Sequence, residues 1–169
     1  MRIGLLFFAG LFCIILRPDM NAEKPFNFEE TPGKLPKEVV PLEYSVRIVP
    51  RIDKFTFTGT ETVKLNVRRP VRQLVLNTLE LEIADASIDG KALPSSAIKI
   101  DKKSELLTLA LPSELAAGEH TLALSFAGKI NQQGQGLFYV PYQEHRSGTK
   151  KIMLATQFEA TDEIGRAHV

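Results

Sequence analysis

The chain has 169 residues, a length that favours one domain, or one domain and a targeting segment. Its 21 basic and 20 acidic residues leave a formal net charge of +1, which argues against a nucleic-acid-binding surface. The absence of Trp and the scattering of 10 Phe and 3 Tyr argue against an aromatic platform for sugars or bases. The single cysteine, Cys13, cannot form an intrachain disulfide, so a folded domain must depend on its hydrophobic core.

The N-terminus carries an unbroken apolar run from Ile3 to Leu16, directly after Arg2. The run is shorter than the roughly 20 residues of a membrane-spanning helix and fits the hydrophobic region of a signal peptide. Two interpretations of residues 1–22 stay open: a cleaved export signal and an uncleaved N-terminal anchor. Both predict a protein that is exported, to the periplasm or the cell exterior, or associated with a membrane. Residues 23–37, EKPFNFEETPGKLPK, are polar and rich in proline and predict a linker.

From residue 38 onward, apolar and polar residues alternate in most segments. This period of two predicts β-strands that place one face on a core and the other toward water. The alternating segments are EYSVRIV, ETVKLNV, LVLN, ADASID and HTLALSF. In ADASID, the residues expected on the core side are Ala84, Ala86 and Ile88.

Turn-forming sequences separate these segments at intervals of about ten residues. They include DGKALP, DKKSE, AAGEH, NQQGQG and HRSGTKK, and the pair Asp89-Gly90 suits a type I′ hairpin turn. Only PSELAAG shows a weak helical period. The predicted fold class is therefore an all-β, antiparallel β-sandwich domain over residues 38–162.

Catalytic motifs are missing from the sequence. It contains no H-E-x-x-H zinc helix, no G-x-S-x-G elbow and no phosphate-binding glycine loop. Its three histidines, His120, His145 and His168, lack the i, i+4 spacing with which two imidazoles can share one zinc ion. We expect His120 on the polar side of its strand and His145 in a charged turn, both as solvated surface residues.

One polar cluster stands at the end of an apolar run, in TQFEATD, residues 156–162. On an extended segment the side chains of Gln157 and Glu159 point to the same face, with Asp162 nearby. An amide and a carboxylate that point together can bind a cation such as a peptide α-ammonium group. The alternative is that they are solvated residues at the end of a strand.

Two stretches resemble the N-terminal region of zinc aminopeptidases of the aminopeptidase N and puromycin-sensitive aminopeptidase type. LPKEVVPLEYSVRIVPRIDKFTFTGTETVKLNV is similar to the opening segment of that family. GLFYVPY, followed by TKKIMLATQFEATD, is similar to the sequence that leads to the family's T-Q-x-E motif. The resemblance covers residues 35–162.

This resemblance implies an antiparallel β saddle that packs on the catalytic domain of a zinc metallopeptidase. It implies that Glu159 anchors the N-terminal ammonium of a peptide substrate and that Gln157 lines the pocket for the first side chain. Because H-E-x-x-H and G-x-M-E-N do not occur in this sequence, we expect the chain alone to bind no zinc and to be inactive. The expected partners of the parent enzyme are peptides with a free N-terminus and the missing catalytic domain.

The family continues from T-D into A-R-R, whereas this sequence continues from Asp162 into EIGRAHV. Codons for that string contain a common sequencing-adapter sequence, so we interpret residues 163–169 as a non-native tail. Two other interpretations of the chain stay open: a stand-alone β-sandwich binding module and a noncatalytic homologue that retains this domain for protein contacts. An apolar patch left without the catalytic domain is expected to favour self-association.

Overall fold

The computed structural model describes residues 27, 28, 30–33 and 35–157. The chain divides into two compact units, Met1–Thr31 and Pro32–Val169. The export or anchor segment, His168 and the tail all lie outside the described residues. In the described part of the chain, no helix has the length and apolar character that crossing a membrane requires.

The described residues of the first unit form a turn. Thr31 donates both its backbone N–H and its hydroxyl to the carbonyl oxygen of Asn27, at 3.0 and 2.7 Å.

The described residues of the second unit form ten β-strands and one short 3₁₀ turn. They are β1 (Val39–Arg51), β2 (Thr56–Val67), β3 (Val71–Asn77), β4 (Glu82–Ile88), β5 (Lys91–Ala92), the 3₁₀ turn (Ser95–Ala97), β6 (Ile98–Asp101), β7 (Leu106–Leu115), β8 (Gly118–Lys129), β9 (Gly136–Gln143) and β10 (Lys150–Gln157). The predicted all-β fold class is confirmed.

The strands form three antiparallel sheets. The main sheet has five strands in the order β1-β2-β8-β4-β5, and a second sheet has three in the order β3-β7-β6. β9 and β10 form a two-stranded hairpin. Neighbouring strands pair antiparallel in all three sheets, both where they are consecutive in the chain, as β1 and β2 are, and where they are not, as with β2 and β8.

The larger hydrophobic cluster is shared by the main sheet and the three-stranded sheet. Its fully buried members from the main sheet are Val63, Leu65 and Leu122, and we call the face that carries them the inner face. The three-stranded sheet contributes Leu74, Leu107 and Leu109, each at most 1% exposed. The alternation in ETVKLNV, LVLN and HTLALSF thus identified the core side of these strands correctly.

A second cluster forms at the other end of the inner face. Its buried members are Phe57, Phe126 and Ile130. Leu137, Tyr139 and Leu154 of the β9–β10 hairpin pack against them. Phe57 and Val63 are an even number of residues apart on β2, so both point to the inner face. The three-stranded sheet and the hairpin therefore cover different ends of the same face of the main sheet.

Two local details differ from the sequence predictions. A bulge between Ile83 and Asp85 interrupts the alternation of β4, so Ala84 is exposed rather than on the core side. PSELAAG forms the end of β7, a short turn and the start of β8, with no helix. The predicted Asp89-Gly90 turn is confirmed, because both residues have positive φ, 49° and 75°.

His120 lies on the inner face, so its predicted place on the polar side of β8 is wrong. Its cross-strand partner is the fully buried Leu65, and its side chain is only 16% exposed. Nδ1 lies 2.7 Å from a carboxylate oxygen of Asp89, and Nε2 lies 3.0 Å from the carbonyl oxygen of Ala116. His145 is exposed in the turn between β9 and β10, as expected.

Candidate functional site

The β9–β10 hairpin carries the predicted site segment at its open end. Its register runs from Gln143 opposite Lys150, beside the turn, to Gly136 opposite Gln157. Gln157 is therefore the last residue of β10 and the last described residue of the chain. The pairing with β9 fixes the backbone of β10 up to this residue.

An aromatic contact fixes the hairpin to the main sheet. The ring of Tyr139 stacks on that of Phe55, with centroids 4.0 Å apart and planes inclined by 23°. Leu154, the cross-strand partner of Tyr139, belongs to the same cluster. Tyr139 of β9 and Leu154 of β10 therefore lie on the same face of the hairpin, and both strands pack against the second hydrophobic cluster.

The loop before β9 is organised by Asn131. Its amide Nδ2 donates to the carbonyl oxygen of Gln135 at 2.7 Å, and its Oδ1 accepts the backbone N–H of Gln133 at 2.7 Å. Its own carbonyl oxygen accepts the N–H of Tyr139 at 2.9 Å. The sequence NQQGQG, predicted as a turn, thus also holds the start of the hairpin.

The outer side of the hairpin is an apolar strip that leads to Gln157. Residues two apart on a strand, and directly paired residues, share a face. By this rule the side chains that share the face of Gln157 are Phe138, Val140, Tyr142, Met153, Ala155 and, next to the turn, Lys151. Met153 and Tyr142 are 51% and 45% exposed, so part of this strip meets solvent.

The cross-strand partner of Gln157 is Gly136, which has no side chain. A Cβ placed on Gly136 would meet no atom of the described residues within 4 Å. Gln157 itself is exposed. Glu159 and Asp162 lie outside the described residues, so the shared face of Gln157 and Glu159 stays a prediction.

The described residues provide no metal centre, since no three His, Cys, Asp or Glu side chains come together among them. Near the turn of the hairpin, hydrogen bonds from Lys151 and Ser147 lower the pKa of Glu144. The groups with raised pKa on the inner face are Glu61 and His120, neither of them in the hairpin.

Sequence reasoning missed Glu61. The sequence did contain a signal for this residue. Glu61 stands two residues before the core residue Val63, at a position of the β2 alternation where an apolar residue is expected. The contact between Phe55 and Tyr139 had no such signal, since it joins residues that are far apart in the chain.

A model of the Peptidase M1 N-terminal domain matches residues 40–163. Among similar proteins, Aminopeptidase N of Acetobacter pasteurianus is 37% identical over 141 residues, which are 83% of this chain and 39% of the relative. Aminopeptidase M1-C of Oryza sativa subsp. japonica is 38% identical over 130 residues, 77% of this chain and 15% of the relative. Aminopeptidase 2 of Candida albicans is 36% identical over 129 residues, 76% of this chain and 14% of the relative. The chain thus spans well under half the length of these relatives.

Proposed function

The chain belongs to the Peptidase M1 N-terminal domain family, and from this premise we propose that it is the N-terminal β domain of an aminopeptidase. In this proposal the domain presents the T-Q-x-E segment, residues 156–159, to peptide substrates. The observation that carries the proposal is the β9–β10 hairpin, which holds Gln157 at its open end opposite Gly136. The catalytic centre would belong to the part of the parent enzyme outside this domain.

The proposed ligand is the free N-terminus of a peptide. A carboxylate at Glu159 would form a charge-assisted hydrogen bond with the α-ammonium group, and Gln157 would line the pocket for the first side chain. Such recognition restricts cleavage to the first residue, because an internal peptide bond has no ammonium group beside it. Peptides with a blocked N-terminus would then be poor substrates.

We also propose that the parent enzyme is a zinc metallopeptidase. The described residues of this chain do not fit zinc, because no three potential ligands converge among them. The ligands would therefore be supplied by another part of the parent, and no zinc-dependent step is assigned to this domain.

The cellular location is proposed from the apolar segment between Ile3 and Leu16. We propose that it directs the protein to the periplasm or the cell exterior, or anchors it in a membrane. Fractionation of expressing cells, followed by N-terminal sequencing of the mature protein, distinguishes a cleaved signal from an anchor. Intact protein in the cytosolic fraction would contradict both.

A chimera tests the proposed function. Residues 40–162 of this chain replace the matching region of the Oryza Aminopeptidase M1-C, and kcat/KM is measured on one peptide with a free and with an acetylated N-terminus. Glu159→Gln is expected to lower kcat/KM for the free peptide by about ten- to a hundred-fold, the value of one charge-assisted hydrogen bond. Gln157→Glu is expected to shift the preference for the first side chain.

The matched control for Gln157→Glu is Gln73→Glu. Gln73 is also an exposed glutamine on a strand, but it lies in the three-stranded sheet. This control should leave both substrates unaffected. Equal kcat/KM for Glu159→Gln and the unsubstituted chimera would refute the anchoring role.

A further inference from the structure

Glu61 occupies a position on the inner face of the main sheet where β2 otherwise carries apolar side chains. It is two residues from the fully buried Val63, so both side chains point to the inner face. Its cross-strand partners are Val46 on β1 and Leu124 on β8. The pairing register therefore sets a carboxylate between two aliphatic side chains.

The neighbours of Glu61 on the inner face are all uncharged. They are Tyr44, Val46, Ile48, Gly59, Val63, Leu122, Leu124 and Phe126. Among the described residues, the carboxylate of Glu61 has no hydrogen-bond or ion-pair partner. Burial raises the pKa of Glu61 above its ordinary value. A half-buried carboxylate without a partner destabilises the folded chain, so its presence needs an explanation outside the described fold.

Two aliphatic side chains beside Glu61 are uncovered. Val46 and Ile48 are 53% and 45% exposed, although their register places them on the inner face. Neither belongs to either hydrophobic cluster. They lie on β1, the edge strand of the main sheet, beyond Val39 and Tyr44, which are the β1 residues that pack against the larger cluster.

On the opposite face of the same two strands, a carboxylate does have a counter-charge. Glu43 on β1 and Lys64 on β2 are cross-strand partners and form an ion pair in solvent. The fold thus pairs a carboxylate where solvent already stabilises it, and leaves Glu61 unpaired where burial disfavours its charge. A cation that pairs with Glu61 would have to come from outside the described fold.

We propose that Glu61, Val46 and Ile48 form a docking site, here called the inner-edge site, for an apolar segment that carries one arginine or lysine. The segment is supplied by the part of the aminopeptidase outside this domain, so the inference rests on the proposed function. Its cation neutralises the carboxylate, and its apolar atoms cover the two aliphatic side chains. In relatives such as the Oryza protein, 85% of the length lies outside the matched region (100% minus the 15% covered).

Thiol accessibility tests the inner-edge site without depending on activity. Val46→Cys reports the site, and Val49→Cys is the matched control, because Val49 is an exposed valine that faces the other side of β1. Alkylation rates are measured by peptide mass spectrometry in the 169-residue chain, with Cys13→Ser, and in the chimera. Docking is expected to slow alkylation of Val46→Cys about ten-fold or more in the chimera and to leave Val49→Cys within about two-fold.

Charge variants test the role of Glu61. In the chimera, Glu61→Arg is expected to abolish the protection of Val46→Cys, because it repels the incoming cation. Thr60→Arg, which places the same charge on the outer face, should preserve the protection. In the 169-residue chain, Glu61→Leu is expected to raise the urea midpoint of unfolding, because it removes a partly desolvated charge.

The outcomes separate the two proposals. Protection of Val46→Cys in a chimera that lacks aminopeptidase activity would overturn the proposed function and support the docking site. An active chimera with unprotected Val46→Cys would overturn the docking site alone. Protection that grows with the concentration of the 169-residue chain would assign the site to a second copy and overturn the proposed occupant. A lower urea midpoint for Glu61→Leu in the 169-residue chain would also overturn the docking site, since Glu61 would then stabilise the isolated fold.

Discussion

The rings of Phe55 and Tyr139 stack at a centroid distance of 4.0 Å and join the β9–β10 hairpin to the main sheet. Phe55 lies in the turn between β1 and β2 with a φ of 50°, a conformation that is uncommon for a residue with a side chain. Its carbonyl oxygen accepts the N–H of Ile130 at 2.8 Å. One turn residue therefore orients both the end of β8 and the hairpin that carries Gln157.

Tyr139→Ala is expected to loosen the hairpin before the rest of the fold. The substitution removes the stacked ring from the second cluster and should cost about 2 kcal/mol of the free energy of unfolding. Hydrogen exchange should become faster in β9 and β10 than in β2 and β8. Tyr142→Ala, at an exposed position of the same strand, should change stability by less than about 0.5 kcal/mol. An equal increase in the exchange rates of the hairpin and of the main sheet would contradict the anchoring role of Tyr139.

Gly59 is required because an aromatic ring occupies the place of its missing side chain. Phe126 is its cross-strand partner, and a Cβ on Gly59 would collide with Cε2 and Cζ of that ring. The relationship is repeated in reverse, since Phe57 covers Gly128, its own cross-strand partner. The two rings meet edge to face at a centroid distance of 6.4 Å.

Gly59→Ala should therefore destabilise the second cluster. Overpacking of this kind costs about 1–3 kcal/mol, because the ring of Phe126 must leave its rotamer or the strands must separate. The measurement is the urea midpoint of unfolding, with Gly33→Ala as control, where a Cβ has no neighbour closer than 3.9 Å. Equal midpoints for the two variants would show that the ring moves aside without cost.

Strands β1 to β4 and β8 could be predicted from the sequence, because burial on one face imposes a period of two, which is a local property. The hairpin with Asp89-Gly90 was predictable for the same reason, since positive φ at both positions selects these residue types. The position at which the β9–β10 hairpin packs on the main sheet could not be predicted, because it depends on contacts between residues distant in the chain, such as Phe55 and Tyr139. Glu61 was missed because only the assembled sheets reveal which part of an apolar face stays uncovered.

Thr78→Val is expected to stabilise the protein. Thr78 is 5% exposed and its hydroxyl has no hydrogen-bond partner among the described residues. Its backbone N–H donates to the carbonyl oxygen of Glu105 at 2.8 Å, and the substitution preserves that bond. Removal of an unpaired buried hydroxyl should raise the free energy of unfolding by about 1 kcal/mol.

The control for Thr78→Val is Thr58→Val, at an exposed position of β2. It should leave the urea midpoint nearly unchanged. A loss of stability in Thr78→Val would mean that the hydroxyl of Thr78 is hydrogen-bonded in solution.

The pair His120 and Asp89 should make stability depend on pH. The hydrogen bond to Asp89 raises the pKa of His120 above 6.5, and the contact with the Ala116 carbonyl adds to this effect. Hydrogen bonds from His120 and from the backbone N–H of Thr121 lower the pKa of Asp89 below 3.8. The stabilisation from His120 is complete below 6.5 and is lost as the pH rises through its raised pKa. The stabilisation from Asp89 is lost as the pH falls through its lowered pKa, so the pair contributes most in the mildly acidic range between the two.

Asp89→Asn separates the charge of this pair from the turn that contains it. Asparagine also adopts the positive φ of a type I′ turn, and its amide oxygen can still accept the N–H of Thr121. The pKa of His120, followed by NMR, is expected to fall toward 6.5. The decline in melting temperature between about pH 6 and 8 should become shallower. Asp85→Asn is the control, because Asp85 accepts a hydrogen bond from Ser125 away from His120. An unchanged pKa of His120 in Asp89→Asn would mean that the ion pair does not form in solution.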